Sequence, residues 1–265
     1  MKIKHYIVIR FYSSNMMDKE KLFDTSLLLN GVKVFKQYLL KSLENQNNKN
    51  FEVILMIHDE ININNDAIKE LYNIKSSLNI NVLRMKDLDK FINKNRIGND
   101  FLIITRVDHD DLIINTAVND IQHKVNINIP LFYYGYCNGC TMINNDINNV
   151  YEFFPRYNGN GSISIFQSLI INQHKINEFI NIYKLGPHTN QKETFINILK
   201  EHNFKFYENM FNIDTVNYLQ FIYIKHNFNH SSLIDNNLEN NWHRTDIKVD
   251  KPKEWFIERF GNFID

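Results

Sequence analysis

Phe101-Leu102-Ile103-Ile104-Thr105-Arg106-Val107-Asp108-His109-Asp110-Asp111-Leu112 is the stretch on which the fold turns. It opens with four consecutive apolar residues, the composition of a strand buried on both faces. Within a few residues it changes character and ends in Asp108, Asp110 and Asp111. Two carboxylates at i and i+2 beyond a strand are placed to converge on one hard cation. Mg²⁺ or Mn²⁺ favours oxygen ligands, keeps some waters and is often shared with phosphates. The plainer reading is an Asp-rich turn capping a helix, since Asp is a good N-cap.

Working outward, short apolar runs alternate with amphipathic stretches. Upstream, Tyr6-Ile7-Val8-Ile9 reads as a strand. Val32, Phe35, Leu39 and Leu43 fall at helical spacing. Phe51 to Ile57 is a second strand, ending at His58-Asp59-Glu60. Asp66 to Leu78 reads as a helix, Ile80 to Leu83 as a strand and Leu88 to Asn93 as a short helix. Downstream, a helix is expected from about Ile113 to His123. Leu131 to Met142 is aromatic and β-like, residues 144–149 form a polar turn, and Tyr157 to Gly161 a Gly/Asn loop. Ser162 to Ile170 reads as β-like, Lys175 to Tyr183 and Asn190 to His202 as helices, and Tyr218 to Ile224 as a last strand. A terminal helix is expected near Trp255. Strands alternating with helices predict an α/β fold, a mainly parallel central sheet flanked by helices. Such sheets bind ligands beyond the carboxyl ends of their strands. Asp59 and the Asp108 cluster both fall there. No repeat or Pro/Gly-rich linker divides the chain. One domain is expected over 1–235, with 236–265 a loop and helix packed on it.

The chain has 265 residues, 30 basic and 30 acidic. That balance gives no electrostatic footprint for nucleic acid or an anionic membrane. No run approaches the roughly 18 to 20 apolar residues of a membrane span. The first residues make a poor signal peptide, so a cytoplasmic protein is the expectation. Two cysteines, Cys137 and Cys140, exclude a disulfide framework. Their CxxC lacks the second ligand pair of a zinc site and interrupts a β-like run, unlike a redox motif. The chain is rich in Asn and almost without Ala, so its Asn patches read as compositional background.

The motif around Asp108 resembles the strand and DxDD of GT-A glycosyltransferases. More narrowly, the chain is similar to the rhamnosyltransferase family of bacterial and viral genomes. That resemblance rests on Ile9-Arg10-Phe11, on Ser42, Gln46 and Phe51, and on Thr105, Arg106, Asp108, Asp110 and Asp111. It extends to His226-Asn227-Phe228-Asn229-His230, and so spans about residues 5 to 230. It implies a GT-A fold and a metal-dependent enzyme. The reaction implied is transfer of a sugar, rhamnosyl by the family name, from a UDP-, dTDP- or GDP-sugar to a hydroxyl of a glycan or other acceptor.

The resemblance also implies roles. Asp59 would contact the nucleoside. Asp108 and Asp110 would hold Mn²⁺ or Mg²⁺, with a late histidine, His230 or His226, completing the shell. Asp108 would also face the donor's ribose and diphosphate. Arg10, Arg84 and Arg106, at strand ends, are placed to contact the diphosphate. An inverting transferase needs a carboxylate to take the acceptor's proton. In family 2 glycosyltransferases that acid opens a helix downstream of the DxD, which points to Glu193, the one acid in Gln191-Lys192-Glu193-Thr194-Phe195. Asp111 is the alternative. Glu193 also reads as an ordinary first-turn acid favouring the helix dipole. Asp59 equally reads as a loop cap. Tyr133, Tyr134 and Tyr136 read as core before they read as a sugar platform. Two rival functions stand beside this one. A sugar nucleotidyltransferase would carry a Gly-rich loop after the first strand, where this chain has Arg10-Phe11-Tyr12-Ser13-Ser14. A non-catalytic glycan-binding protein on a decayed transferase fold would not need the acidic cluster.

Overall fold

The computed structural model describes residues 1–11, 24–136, 138–143, 146–152, 166–185, 191–214, 219–225 and 247–264. Four strands, β1 (Ile3–Arg10), β2 (Glu52–Ile57), β3 (Ile80–Arg84) and β4 (Phe101–Asp108), lie parallel in the spatial order β3-β2-β1-β4. Their carboxyl ends therefore share one edge of the sheet. Beyond β4 the sheet continues through β9 (Gln167–Asn172), β6 (Leu131–Tyr136) and β10 (Phe211–Asp214). β9 runs antiparallel to both β4 and β6, while β10 is parallel to β6. The expected mainly parallel sheet is present, with one reversed strand within it.

The two faces of the sheet bury two cores, so the body has three layers. The odd-numbered residues of β1 and β4, among them Ile7, Ile9, Ile103 and Val107, pack on one face. Against them lie α1 (Thr25–Gln37), α2 (Leu39–Glu44), α3 (Asp66–Tyr72) and α5 (Ala117–Gln122). The even-numbered residues Tyr6, Val8, Leu102 and Ile104 pack on the other face, under α4 (Leu88–Asn95) and α6 (Gln191–Glu201). Asp24 caps α1 by accepting from the backbone N–H groups of Ser26 and Leu27, and Asn65 caps α3. A second sheet, in the order β5-β11-β7-β8, joins β5 (Leu112–Ile113), β11 (Phe221–Lys225), β7 (Gly139–Ile143) and β8 (Val150–Glu152). The last helix, α7 (Lys253–Phe260), buries Phe256 and Phe260 in the first core, and Tyr151 bridges Lys248 just before it.

Three sequence expectations are corrected. The helix expected from Ile113 starts at Ala117. Leu112 and Ile113 instead pair antiparallel with Ile222 and Phe221. Leu112, Ile113 and Ile114 are all buried, and three adjacent buried side chains cannot share one helix face. Residues 175–183 form no α-helix. Ile176, Phe179 and Ile180 have helical spacing and are buried, but only a 3₁₀ turn over Ile182–Leu185 is regular. Polar side chains take the backbone groups a helix would need: Asn172 accepts from the N–H of His174, Asn181 from the N–H of Tyr183, and Gln173 donates to the carbonyl of Ile176. The helix from Asp66 ends at Tyr72 rather than Leu78, capped at Asn73. Phe204 to Tyr207 form no strand, and β10 begins at Phe211 after a 3₁₀ turn over Glu208–Met210.

Candidate active site

The edge formed by the carboxyl ends of β3, β2, β1 and β4 gathers most of the residues singled out from the sequence. Arg10 ends β1 and Asp108 ends β4, and the two are register partners. Arg10 Nη2 donates to Asp108 Oδ1 at 3.1 Å. Burial works against the Arg10 charge, but Asp108, Tyr183 and Asp110 outweigh it and raise its pKa above the ordinary arginine value. Arg106 lies one pair further back on the same face. Burial and then the neighbouring Arg10 charge lower its pKa from the arginine norm. The ring of Tyr183 lies against both guanidiniums, 5.4 Å from Arg10 and 5.3 Å from Arg106. Nothing in the sequence marks Tyr183 for this place, since it closes a segment with helix-like spacing.

At the far end of the same edge, Asp59 follows β2 and Arg84 ends β3. Asp59 Oδ1 accepts from the backbone N–H of Lys86 at 3.1 Å, and Arg84 Nη2 donates to the carbonyl of Ile61 at 3.3 Å. Both therefore tie the loops after β2 and β3 together, so the loop-cap reading of Asp59 describes a contact it makes. It is half-buried, two residues beyond the end of β2.

The acidic turn divides its three carboxylates. Asp108 faces Arg10. Asp110 is 7% exposed, with His109 Nδ1 4.0 Å from its Oδ1. Asp111 is 0% exposed; its Oδ1 accepts from the backbone N–H of Ile224 at 3.4 Å, and its Oδ2 has no hydrogen-bond partner among the described residues. Burial, then the charges of Asp110 and Asp108, push the Asp111 carboxyl well above the usual range. Asp111 thus ties the acidic turn to β11.

Ser42 and Gln46 turn out to be the clamp behind this turn. Gln46 Nε2 donates to the carbonyls of Ser42 and Ile114, and Gln46 Oε1 accepts from the N–H of Val118. Ser42 Oγ accepts from the N–H of Ile113 at 3.4 Å. Both residues are buried, so they satisfy backbone groups of the segment after Asp111 and act through position.

Glu193 stands exposed in the first turn of α6. Gln191 opens that helix, fully buried, and its Oε1 accepts from the Tyr133 hydroxyl at 3.0 Å. His226 and His230 lie outside the described residues, as do Cys137 and the loop at 157–161. Cys140 is buried and free.

Among the described residues no group of three or more His, Cys, Asp or Glu side chains is arranged to hold a metal ion. Two carboxylates nonetheless suit a hard cation that keeps waters and shares substrate phosphates. The unpartnered Asp111 Oδ2, beside the charges of Asp108 and Asp110, marks a concentration of negative charge that a cation would relieve. Among the described residues no helix is long and apolar enough to cross a membrane.

No family model matches the sequence, and no curated protein does. Among solved structures, residues 1–349 of TarS from S. aureus share 13% identity, with 83% of this chain and 60% of that one covered and a TM-score of 0.38. A protein described as a nucleotide-diphospho-sugar transferase from Desulfovibrio desulfuricans G20 shares 6%, over 84% and 81% of the two chains, with a TM-score of 0.41. The inositol-1-phosphate CTP transferase from T. maritima shares 10%, over 88% and 94%, with a TM-score of 0.40. The chain thus spans about three fifths of the TarS structure. At scores this low the likenesses place no residue and carry no activity to this chain.

Proposed function

We propose that this protein is a metal-dependent glycosyltransferase that moves a sugar from a nucleotide-sugar donor to a hydroxyl acceptor in glycan synthesis. One observation carries the reading: Arg84, Arg10 and Asp108 end three of four adjacent parallel strands, and Asp59 and Asp110 follow just after the ends of β2 and β4, where open α/β sheets take their ligands. Asp59 and Arg84 serve the nucleoside end. Asp108 and Asp110 hold Mn²⁺ or Mg²⁺, with His230 as a further candidate ligand. The cation supplies charge neutralisation for a diphosphate leaving group. Arg10, already turned into the site by Asp108, adds a fixed positive charge for the same oxygens. Glu193 accepts the proton of the attacking hydroxyl, which makes the transfer inverting; rhamnose is the sugar the motif resemblance implies.

The test is release of nucleoside diphosphate from a panel of UDP-, dTDP- and GDP-sugars, with Mn²⁺ and with EDTA. Turnover that requires the metal and falls sharply in Asp110→Ala is the expected result. Glu193→Gln keeps shape and removes the base. Loss of a positioned base costs about 10²- to 10⁴-fold in rate, with donor affinity unchanged. Near-normal turnover in that variant would leave Glu193 as a helix-dipole residue, and full activity in EDTA would remove the metal.

A further inference from the structure

Arg10 and Arg106 stand on one face of the sheet, the face that carries Tyr6, Val8, Leu102 and Ile104. The register of β1 and β4 pairs Arg10 with Asp108 and Val8 with Arg106. The two arginines are therefore diagonal neighbours, with Cα atoms about 8 Å apart. Their charges oppose each other, and that of Arg10 works against the ionisation of Arg106. Asp108 is engaged by Arg10. Arg106 makes no hydrogen bond or ion pair among the described residues. What the two guanidiniums share is the ring of Tyr183, with its centroid 5.4 Å from Arg10 and 5.3 Å from Arg106. The negative face of an aromatic ring attracts a cation, so this one ring offsets part of the repulsion between two.

The ring is itself held in place. Tyr183 belongs to the 3₁₀ turn Ile182–Leu185, whose end residues Ile182 and Leu185 are buried in the core under α4 and α6. Asn181 Oδ1 accepts from the N–H of Tyr183 at 3.0 Å. The Tyr183 hydroxyl donates to the carbonyl of Val8, the register partner of Arg106, at 3.5 Å, the limit of a hydrogen bond. The Arg10 side chain stays 33% exposed beside Asp108. A guanidinium stacked through its face keeps its N–H edge for an oxyanion.

We propose that Tyr183 is a positioning residue whose ring holds Arg10 and Arg106 side by side, so that both guanidiniums meet the donor diphosphate already oriented. This rests on the donor-binding reading and adds to it the residue that sets the arginines. A freely swinging arginine must be ordered when it binds, whereas one clamped on a ring is ordered by folding. The ring does this work, and the weakly bonded hydroxyl is dispensable.

The experiment titrates the full chain in Mg²⁺ with inorganic pyrophosphate and with UDP, dTDP and GDP. Tyr183→Leu should weaken pyrophosphate and the preferred nucleotide about tenfold, the order of a partly desolvated cation–π contact. Tyr183→Met is the second ringless variant should the first fail to fold. Tyr183→Phe keeps the ring and should stay within about threefold of the wild type. Arg10→Gln and Arg106→Gln, made singly, should each shrink the cost of losing the ring to about threefold, because one guanidinium then remains to be held. Damage to the fold alone would cost the same in every background, and unfolding midpoints without ligand register it separately. Wild-type affinity in the ringless variants overturns the inference, as does a loss undiminished by removing either arginine. A loss in Tyr183→Phe equal to that in Tyr183→Leu overturns it too, by assigning the effect to the hydroxyl. Binding of pyrophosphate but of no nucleotide would sink the donor reading, and the pyrophosphate affinities would then decide the role of Tyr183 alone. A wild type that binds neither overturns both.

Discussion

His5 shows how much a single polar side chain does inside this sheet. It is buried in β1, with Nε2 2.8 Å from Thr105 Oγ1, and Thr105 Oγ1 in turn 2.8 Å from Ser168 Oγ. Gln122 Nε2 lies 3.3 Å from Nδ1. Since that amide nitrogen can only donate, the network assigns the proton to Nε2 and leaves the ring neutral. Burial lowers the His5 pKa from 6.5 to about 3. The unfolded chain therefore takes up a proton first as the pH falls. Stability is full above about pH 6.5 and is lost progressively toward pH 3. Between pH 7 and pH 5 this one group should remove about 2 kcal/mol. Urea unfolding at the two pH values measures it, with His5→Gln as the control that lacks the ionisation. Equal losses in both proteins would assign the acid sensitivity to other groups.

At the scale of elements, α7 depends on one backbone conformation. Gly261 follows the helix with φ at +92°, and its N–H closes onto the carbonyl of Ile257. A Cβ at that position would stand 2.7 Å from the backbone carbonyl oxygen of Lys41, in α2. An alanine there meets both an unfavourable φ and a backbone atom that cannot swing aside. Gly261→Ala should cost about 1 to 3 kcal/mol, read as a lowered midpoint of thermal unfolding. Loss of α7 docking would also free the carbonyls of Glu258 and Arg259, which hold Asn45 and Asn115. An unchanged midpoint would mean that the chain accommodates the added Cβ and that this conformation carries no strain worth measuring.

The elements differ in how readable they were. β1, β2 and β4 are central and buried, so each is a plain apolar run, and their alternation with helices already implied a parallel edge carrying Asp59 and Asp108. The segment 175–183 misled because Ile176, Phe179 and Ile180 are buried at helical spacing while Asn and Gln side chains hold the backbone in turns. Leu112 and Ile113 misled because their partner strand lies more than a hundred residues away. The site shows the same division. Arg10 and Asp108 could be placed by strand ends alone. Tyr183 and Gln191 could not, since their roles come from packing against Arg106 and Tyr133 and leave no local pattern.

At the scale of the whole molecule, the layers leave the candidate site along one edge of the sheet with one acidic corner. Asp111 fastens that corner to β11, and Gln46 fastens the segment behind it to α2, so the carboxylates of Asp108 and Asp110 are set before any ligand arrives. Ligands that bind this edge should therefore stabilise the entire fold, because both cores end on the same strands. A nucleoside diphosphate at a hundredfold excess over its Kd should add about 2.7 kcal/mol to the unfolding free energy. If the cation bridges the carboxylates and the phosphates, metal and nucleotide must strengthen each other by the same factor, whichever is added first. Asp110→Asn separates the parts. It removes a carboxylate charge while keeping size, so it should reduce the stabilisation by Mn²⁺ and the metal-dependent share of nucleotide binding together. The metal-independent share, carried by Arg10 and the loops at Asp59 and Arg84, should remain. Melting curves over a grid of Mn²⁺ and nucleotide concentrations read both terms. If Mn²⁺ stabilises the variant as strongly as the wild type, the acidic corner is a charge-bearing turn and the cation binds elsewhere.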